Sequence, residues 1–105
     1  MFKTKYIYKI FTLFEWKKVQ KERIIKLKSQ PNDLEFVHLS KKDQISGTIN
    51  RYFKKKRKLV MIKLSVDDLH DNLKWEKSRE NKYYPHYYGC ISTKIILDVK
   101  KIENE

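Results

Sequence analysis

The chain has no alanine, one cysteine, two glycines and two prolines, and only 4 of its 25 basic residues are arginine. A single thiol, Cys90, excludes an internal disulfide and fits a reducing compartment. An inert, partly buried thiol is expected there, because reactivity would need a depressed pKa. Gly47 and Gly89 are too few and too far apart to build a phosphate-cradling glycine loop. No serine or cysteine stands in a nucleophile-elbow context. The histidines show neither helical i,i+4 spacing nor a Cys-x-x-Cys companion, so no metal site is expected. No stretch approaches the roughly 20 apolar residues of a membrane helix. Met1-Phe2-Lys3-Thr4-Lys5 runs into a strand-like segment rather than a signal-peptide core. A cytoplasmic protein without a membrane partner is the expectation.

What is present is lysine. The net charge is +12 and the pI about 9.8, which puts nucleic acid among the candidate partners. The 21 lysines and 11 isoleucines, with no alanine, also match the composition that an AT-rich coding bias produces. Arginine, the residue suited to bidentate phosphate and base recognition, is scarce. The densest run, Lys54-Lys55-Lys56-Arg57-Lys58, has a structural reading too, since cations complement the dipole at a helix C-terminus.

At 105 residues the chain is expected to form one domain, residues 1–105. Folding would bury roughly two-thirds of its unfolded surface, enough for a core without staples. Tyr6 to Phe11 reads as a first strand. Thr12 follows as a helix cap with Glu15 completing a capping box, and Leu13, Trp16, Val19 and Gln20 form the apolar face. Ser29-Gln30-Pro31-Asn32-Asp33 is a loop by every local signal. Phe36 to Leu39 reads as a short strand and Ser40 as the cap of a second helix. The core face of that helix would be Ile45, Thr48 or Ile49, Tyr52 and Phe53. Leu59 to Val66 is a strongly apolar strand, Leu73 to Glu76 a short one, and Ile91 to Ile102 a last one with alternating apolar positions. The fold class expected is α+β, with a split, mixed or mainly antiparallel sheet and about two helices.

Two of the three histidines sit in unusual patches, Phe36-Val37-His38-Leu39-Ser40 and Tyr84-Pro85-His86-Tyr87-Tyr88-Gly89. Strand alternation puts Phe36, His38 and Ser40 on one face, with His38 close to a helix N-terminus that would attract an anion. An imidazole there could bind the anion or move a proton, or it could be a half-buried side chain bonded to backbone. Between the patches, Trp75 would face the core with Leu73, leaving Glu76 with Lys74 on the other face. Glu76 is then either a solvated carboxylate or a catalytic one beside Ser78 and Arg79, with Arg79 clamping an anionic ligand. Pro85 and Gly89 should hold His86 on a rigid turn, whose Tyr-Pro bond admits a cis isomer although trans is favoured. The tyrosines there would stack on a ring or cover the core. His70 reads as an exposed loop residue.

These segments carry a resemblance. The order Ile7-Tyr8-x-Ile10, Trp16, Phe36-Val37-His38-Leu39-Ser40, Gln44, Gly47-Thr48-x-Asn50-Arg51-Tyr52-Phe53, Leu59-Val60, Trp75-Glu76-x-Ser78-Arg79 and Pro85-His86-x-Tyr88-Gly89 resembles the bacterial family called domain of unknown function 952. It spans about residues 6–102. The resemblance implies an ADP-ribosyltransferase-like fold, whose relatives bind NAD in a cleft of a split sheet. It also implies that the His38, Glu76 and His86 segments surround one pocket. Two positions depart from the family pattern: Lys9 where a histidine is usual, and Glu35 where a glycine is common. Lys9 would keep a positive charge but could not accept a proton near neutral pH without a large pKa shift.

Two readings follow. In one, the protein is an enzyme-like or ligand-binding domain, transferase-like, for a small nucleotide-type anion such as NAD. His38, Glu76 and His86 would be its catalytic residues, and Ser40, Thr48, Arg51, Trp75, Ser78, Arg79 and Tyr88 would hold the ligand. Arg51 stands about 16 Å along the helix from Ser40, so a structural role is also open to it. In the other reading, a non-catalytic basic module binds RNA or another acidic partner through its lysines.

Overall fold

A threonine separates the first strand from the first helix, and this boundary sets the frame for the rest. The structure, a computed structural model, describes residues 4–28, 30, 31 and 33–104, with Arg79 described through its backbone alone. Residues 1–3, and Ser29 and Asn32 of the expected loop, lie outside the described residues. Along the chain come β1 (Tyr6–Thr12), α1 (Leu13–Glu22), β2 (Ile24–Ile25), β3 (Val37–His38), α2 (Ile45–Tyr52), β4 (Lys58–Ser65), β5 (Leu73–Lys77), β6 (Tyr83–Tyr87), β7 (Ile91–Ser92) and β8 (Asp98–Glu103). The protein is thus a small compact α+β domain with two α-helices, and its strand pairings are antiparallel.

The capping box at α1 forms as the sequence indicates. Glu15 N donates to Thr12 Oγ1 at 3.1 Å, and Thr12 N donates to Glu15 Oε1 at 2.9 Å. A cap of this type contributes about 1 kcal/mol. At the other end Arg23 takes a left-handed φ of 61° and returns its N–H to Val19 O at 2.7 Å, which stops the helix. Trp16 and Val19 are buried, whereas Gln20 turns to solvent. The apolar stripe is one row wide, so the expected fourth position falls off it.

Two three-stranded sheets, ordered β1-β4-β8 and β3-β6-β5, make the split architecture, and a ribbon pairs β2 with β7. The sheets meet where Tyr8 N donates to Ser40 O at 2.8 Å and Ser40 N donates to Tyr8 O at 2.9 Å. Ile7, Phe11, Ile62, Leu64, Ile25, Val37 and Ile91 fill the core between the sheets and α1. Fully burying an aliphatic or aromatic side chain of this size contributes about 1.5–3 kcal/mol.

Six local expectations are corrected. Ser40 does not cap a helix: its backbone is taken by the Tyr8 bridge, and a 3-10 turn, Lys42–Gln44, precedes α2. His38 is therefore not next to a helix N-terminus. Of the face expected for α2, Ile45, Thr48, Ile49 and Phe53 are half-buried as read, but Tyr52 is 40% exposed and no α2 side chain is fully buried. The segment around Pro85 is not a turn but the central strand β6, in which the proline carbonyl accepts from Leu39 N at 3.1 Å and the peptide is trans. The long last strand is broken, since Ser92 Oγ accepts from Lys94 N at 3.2 Å and starts a 3-10 turn, Thr93–Ile95. That turn carries the chain from the ribbon to the free edge of β4. Cys90, finally, is exposed.

Other expectations stand. Leu73 and Trp75 pack on the core side of β5, His70 is exposed, and Gly89 adopts φ 150°, where a Cβ would meet the Tyr87 ring at 3.3 Å. Among the described residues no helix is long and apolar enough to cross a membrane.

Candidate functional site

Strand pairing brings the two histidines face to face. In the β3–β6 register His38 stands opposite His86, with ring centroids 5.4 Å apart and planes at 62°. Each ring is held at Nδ1 by a carboxylate. His38 Nδ1 lies 2.7 Å from Asp33 Oδ1, and His86 Nδ1 lies 2.7 Å from Glu76 Oε1. An ionised carboxylate only accepts, so Nδ1 carries the proton in both rings and Nε2 is left for chemistry. Phe36 packs over the pair, stacked on His86 at 4.0 Å and tilted against His38 at 4.6 Å.

The carboxylates are themselves tied down. Glu76 Oε1 also accepts from the Tyr88 hydroxyl at 2.7 Å. Asp33 is fully buried, and its Oδ2 meets the Lys9 ammonium at 2.7 Å. Lys9 Nζ also donates to His38 O at 3.0 Å. Lys9 points inward because it shares a strand face with Ile7 and Phe11, both of which are fully buried. Such a lysine requires a partner, and the loop before β3 supplies Asp33.

These contacts set the protonation states. The Tyr88 and His86 hydrogen bonds hold the Glu76 carboxyl below its usual range, and the same bond raises the Tyr88 phenol. Burial lowers the His86 imidazole; Glu76 opposes this, and the charge of His38 adds to it. Burial alone would raise Asp33, but the His38 bonds and Lys9 outweigh it and keep it ionised. Burial likewise pulls Lys9 down from its ordinary value against the attraction of Asp33.

His38 and His86 line one cleft with Lys9, Gln30, Ser40, Thr48 and Ser78. Its enclosed volume is about 30 Å³, room for a water or two. A small polar group of a ligand fits there; a whole ligand does not. Lys9 and Asp33 neutralise one another, so attraction for an anion must come from the overall charge of +12. The arrangement suits general acid–base work by two oriented imidazoles on one polar group. Among the described residues no group of three or more His, Cys, Asp or Glu could hold a metal ion.

Residues 10–99 match the family model described as protein of unknown function DUF952. The chain belongs to this family. Three solved structures of the protein CC0527 from Caulobacter crescentus are similar to this DUF952 chain. Its crystal structure matches with a TM-score of 0.84 at 28% identity, covering 91% of this chain and 84% of that one. A double mutant of CC0527 matches with the same TM-score and coverage at 26% identity. The solution structure gives a TM-score of 0.78 at 28% identity, covering 90% and 82%. No curated protein matches the chain.

Of the candidate residues in this DUF952 chain, His38, His86, Ser40, Thr48 and Ser78 share the cleft. The hydroxyls of Ser40 and Thr48 bond each other at 2.8 Å. Glu76 and Tyr88 do not line the cleft; they reach it through His86, as positioning residues. Trp75 packs against the core behind the site. Arg51 is exposed and lies over the Tyr52 ring at 5.7 Å, outside the cleft lining. The Arg79 side chain lies outside the described residues. Sequence reasoning put Phe36 on the face of His38 but gave it no role, missed Asp33 and Gln30 as site residues, and treated Lys9 only as a departure from the family pattern. The available signal was Lys9 itself, a lysine on the apolar face of a strand, which calls for a buried carboxylate somewhere in the chain.

Proposed function

We propose that this protein is a small enzyme-like domain, ADP-ribosyltransferase-like in its split sheet, that binds a nucleotide-type anion of the NAD class in the cytoplasm. In this reading His38 and His86 move a proton on the group that enters the cleft. Asp33 and Glu76 fix the tautomers, and Ser40, Thr48 and Ser78 offer hydroxyls to it. One observation carries the reading: two imidazoles, each clamped at Nδ1, facing one cleft. A structural histidine needs one satisfied nitrogen. Two rings each bonded through Nδ1 beside a cleft leave a pair of Nε2 atoms without a hydrogen-bond partner among the described residues.

The test is a thermal-shift titration with NAD and ADP-ribose on the wild type, His38→Ala and Glu76→Gln. The expected result is ligand stabilisation that both variants lose while remaining folded. Equal stabilisation of all three proteins overturns the reading.

A second reading, a basic module that binds nucleic acid without turnover, draws support from Lys54 to Lys58, which are all exposed away from the cleft. Under it, neutralising that run weakens RNA binding and flattens its salt dependence, while the histidine variants bind normally.

A further inference from the structure

A cleft of about 30 Å³ leaves open where the rest of a ligand would lie. Beside it runs a second, wider groove of about 760 Å³. The two share Gln30, Tyr52 and Phe53 in their linings, so the groove adjoins the cleft. Phe14 and Pro31 complete its apolar surface, and Lys56 stands on its rim.

Phe14 is the unexplained residue here. It occupies the first turn of α1 and is 80% exposed, although α1 buries Trp16 and Val19 successfully. Tyr52, 40% exposed, lies across from the core on α2. Phe14 and Tyr52 both line the groove and both are exposed, and large aromatic side chains exposed together rather than singly mark a binding surface. Glu15, the carboxylate on this wall, is already committed to Thr12 N and Gln30 Nε2. Gln30 gives its Nε2 protons to Glu15 and to Ile10 O, so its Oε1 remains as an acceptor in the wall shared with the cleft.

The backbone of the rim lysine is held in place. Lys56 N donates to Phe53 O at 3.0 Å, and Asn104 Nδ2 donates to both Phe53 O and Lys56 O at 2.8 Å. Asn104 N donates further to Arg57 O. Asn104, just past β8, thus ties the basic turn to the C-terminal segment next to the aromatic groove.

We infer that this groove holds a nucleobase against Phe14 and Tyr52, with its phosphate beside Lys56. The charge fits, since an aromatic floor next to a lysine complements a flat ring bearing an anion. The inference shares the nucleotide class with the proposed function but rests on different residues. Two sources supply this chemistry: a free nucleotide, or one nucleotide of a single strand.

The experiment measures binding of adenosine monophosphate, ribose 5-phosphate and a short oligoadenylate. The proteins are the wild type, Phe14→Ala, Lys56→Gln and, as a control, Leu34→Ala, which removes an apolar side chain 61% exposed outside the groove. Expected is a loss of about tenfold in adenosine monophosphate affinity for Phe14→Ala, no change for ribose 5-phosphate, and no effect of Leu34→Ala. Lys56→Gln should weaken both phosphates. A free-nucleotide site binds the monophosphate and the oligomer alike. A strand site binds the oligomer more tightly and with a steeper salt dependence. The inference is overturned if the wild type binds neither base-bearing probe, or if Phe14→Ala binds them as the wild type does. His38→Ala, tested in parallel with NAD, reports on the cleft alone, so the two readings fail separately.

Discussion

Asp33 Oδ1 stands 2.7 Å from the Nδ1 of His38 and 3.1 Å from the same residue's backbone nitrogen. One carboxylate oxygen therefore fixes both the ring and the chain that carries it, while the other oxygen holds Lys9. A buried ion pair and a carboxylate–imidazole pair are thus built on a single aspartate.

Removing that aspartate should be costly. Asp33→Asn leaves the Lys9 ammonium buried without its counter-charge, and breaking a buried pair this way costs about 3–5 kcal/mol. The double variant Lys9→Met, Asp33→Asn removes the stranded charge and should recover a large part of the loss. Chemical denaturation of the three proteins checks this. A double variant no more stable than Asp33→Asn would contradict the pairing.

Opposite shifts are expected at His86. Glu76 raises its pKa and burial lowers it. Glu76→Gln should thus move the titration of His86 further down, and should lower the Tyr88 phenol as well. Phe36→Ala uncovers the ring stacked on His86 and should move it up, toward the ordinary 6.5. Histidine NMR titrations read both shifts, and equal directions would refute the balance described.

Stability should fall on acidification in two stages. For His86 the folded pKa lies below the ordinary 6.5, so the unfolded chain binds more protons below that pH and the fold loses stability as pH drops through the window beneath it. For Glu76 and Asp33 the folded values lie below the ordinary 4.5 and 3.8, so their contribution is full above those values and is lost as pH falls through the depressed ones. A melting temperature that falls below about pH 6.5 and steepens below about 4.5 is the expected profile. Beneath it lies a separate loss from Lys9, whose folded value lies below the ordinary 10.5 and whose contribution drops as pH falls through the window under it. Glu76→Gln should flatten part of the second stage.

Ser40→Ala tests the hinge between the sheets. The Ser40 backbone bridge to Tyr8 does not need the side chain, so only the hydroxyl pair with Thr48 is lost. The cost should be about 1 kcal/mol by denaturation. A loss of several kcal/mol would show that the hydroxyl holds the two sheets together.

The elements were legible where a local rule acts alone. The Thr12–Glu15 capping box, the apolar β4 run and the inward face of β5 depend on neighbours a few residues away, and the sequence shows them directly. Errors came where distant partners decide. Ser40 looks like a helix cap, but pairing with Tyr8 pulls it into extended backbone instead. Pro85 looks like a turn residue, yet β3 and β5 flank it and make its strand the middle one. The resemblance grouped the His38 and His86 segments, and the β3–β6 register now gives that grouping a distance.

The sequence by itself determined the α+β class, the family, the absence of an internal disulfide and the two histidine patches, because each depends on residue type and local order. Only the tertiary structure decided that Asp33 and Glu76 are the partners of these histidines, and that Lys9 is buried with Asp33. Asp33 is written in a polar loop, where a carboxylate ordinarily meets water. It becomes part of the site because a lysine on the apolar face of β1 has to be neutralised within the core.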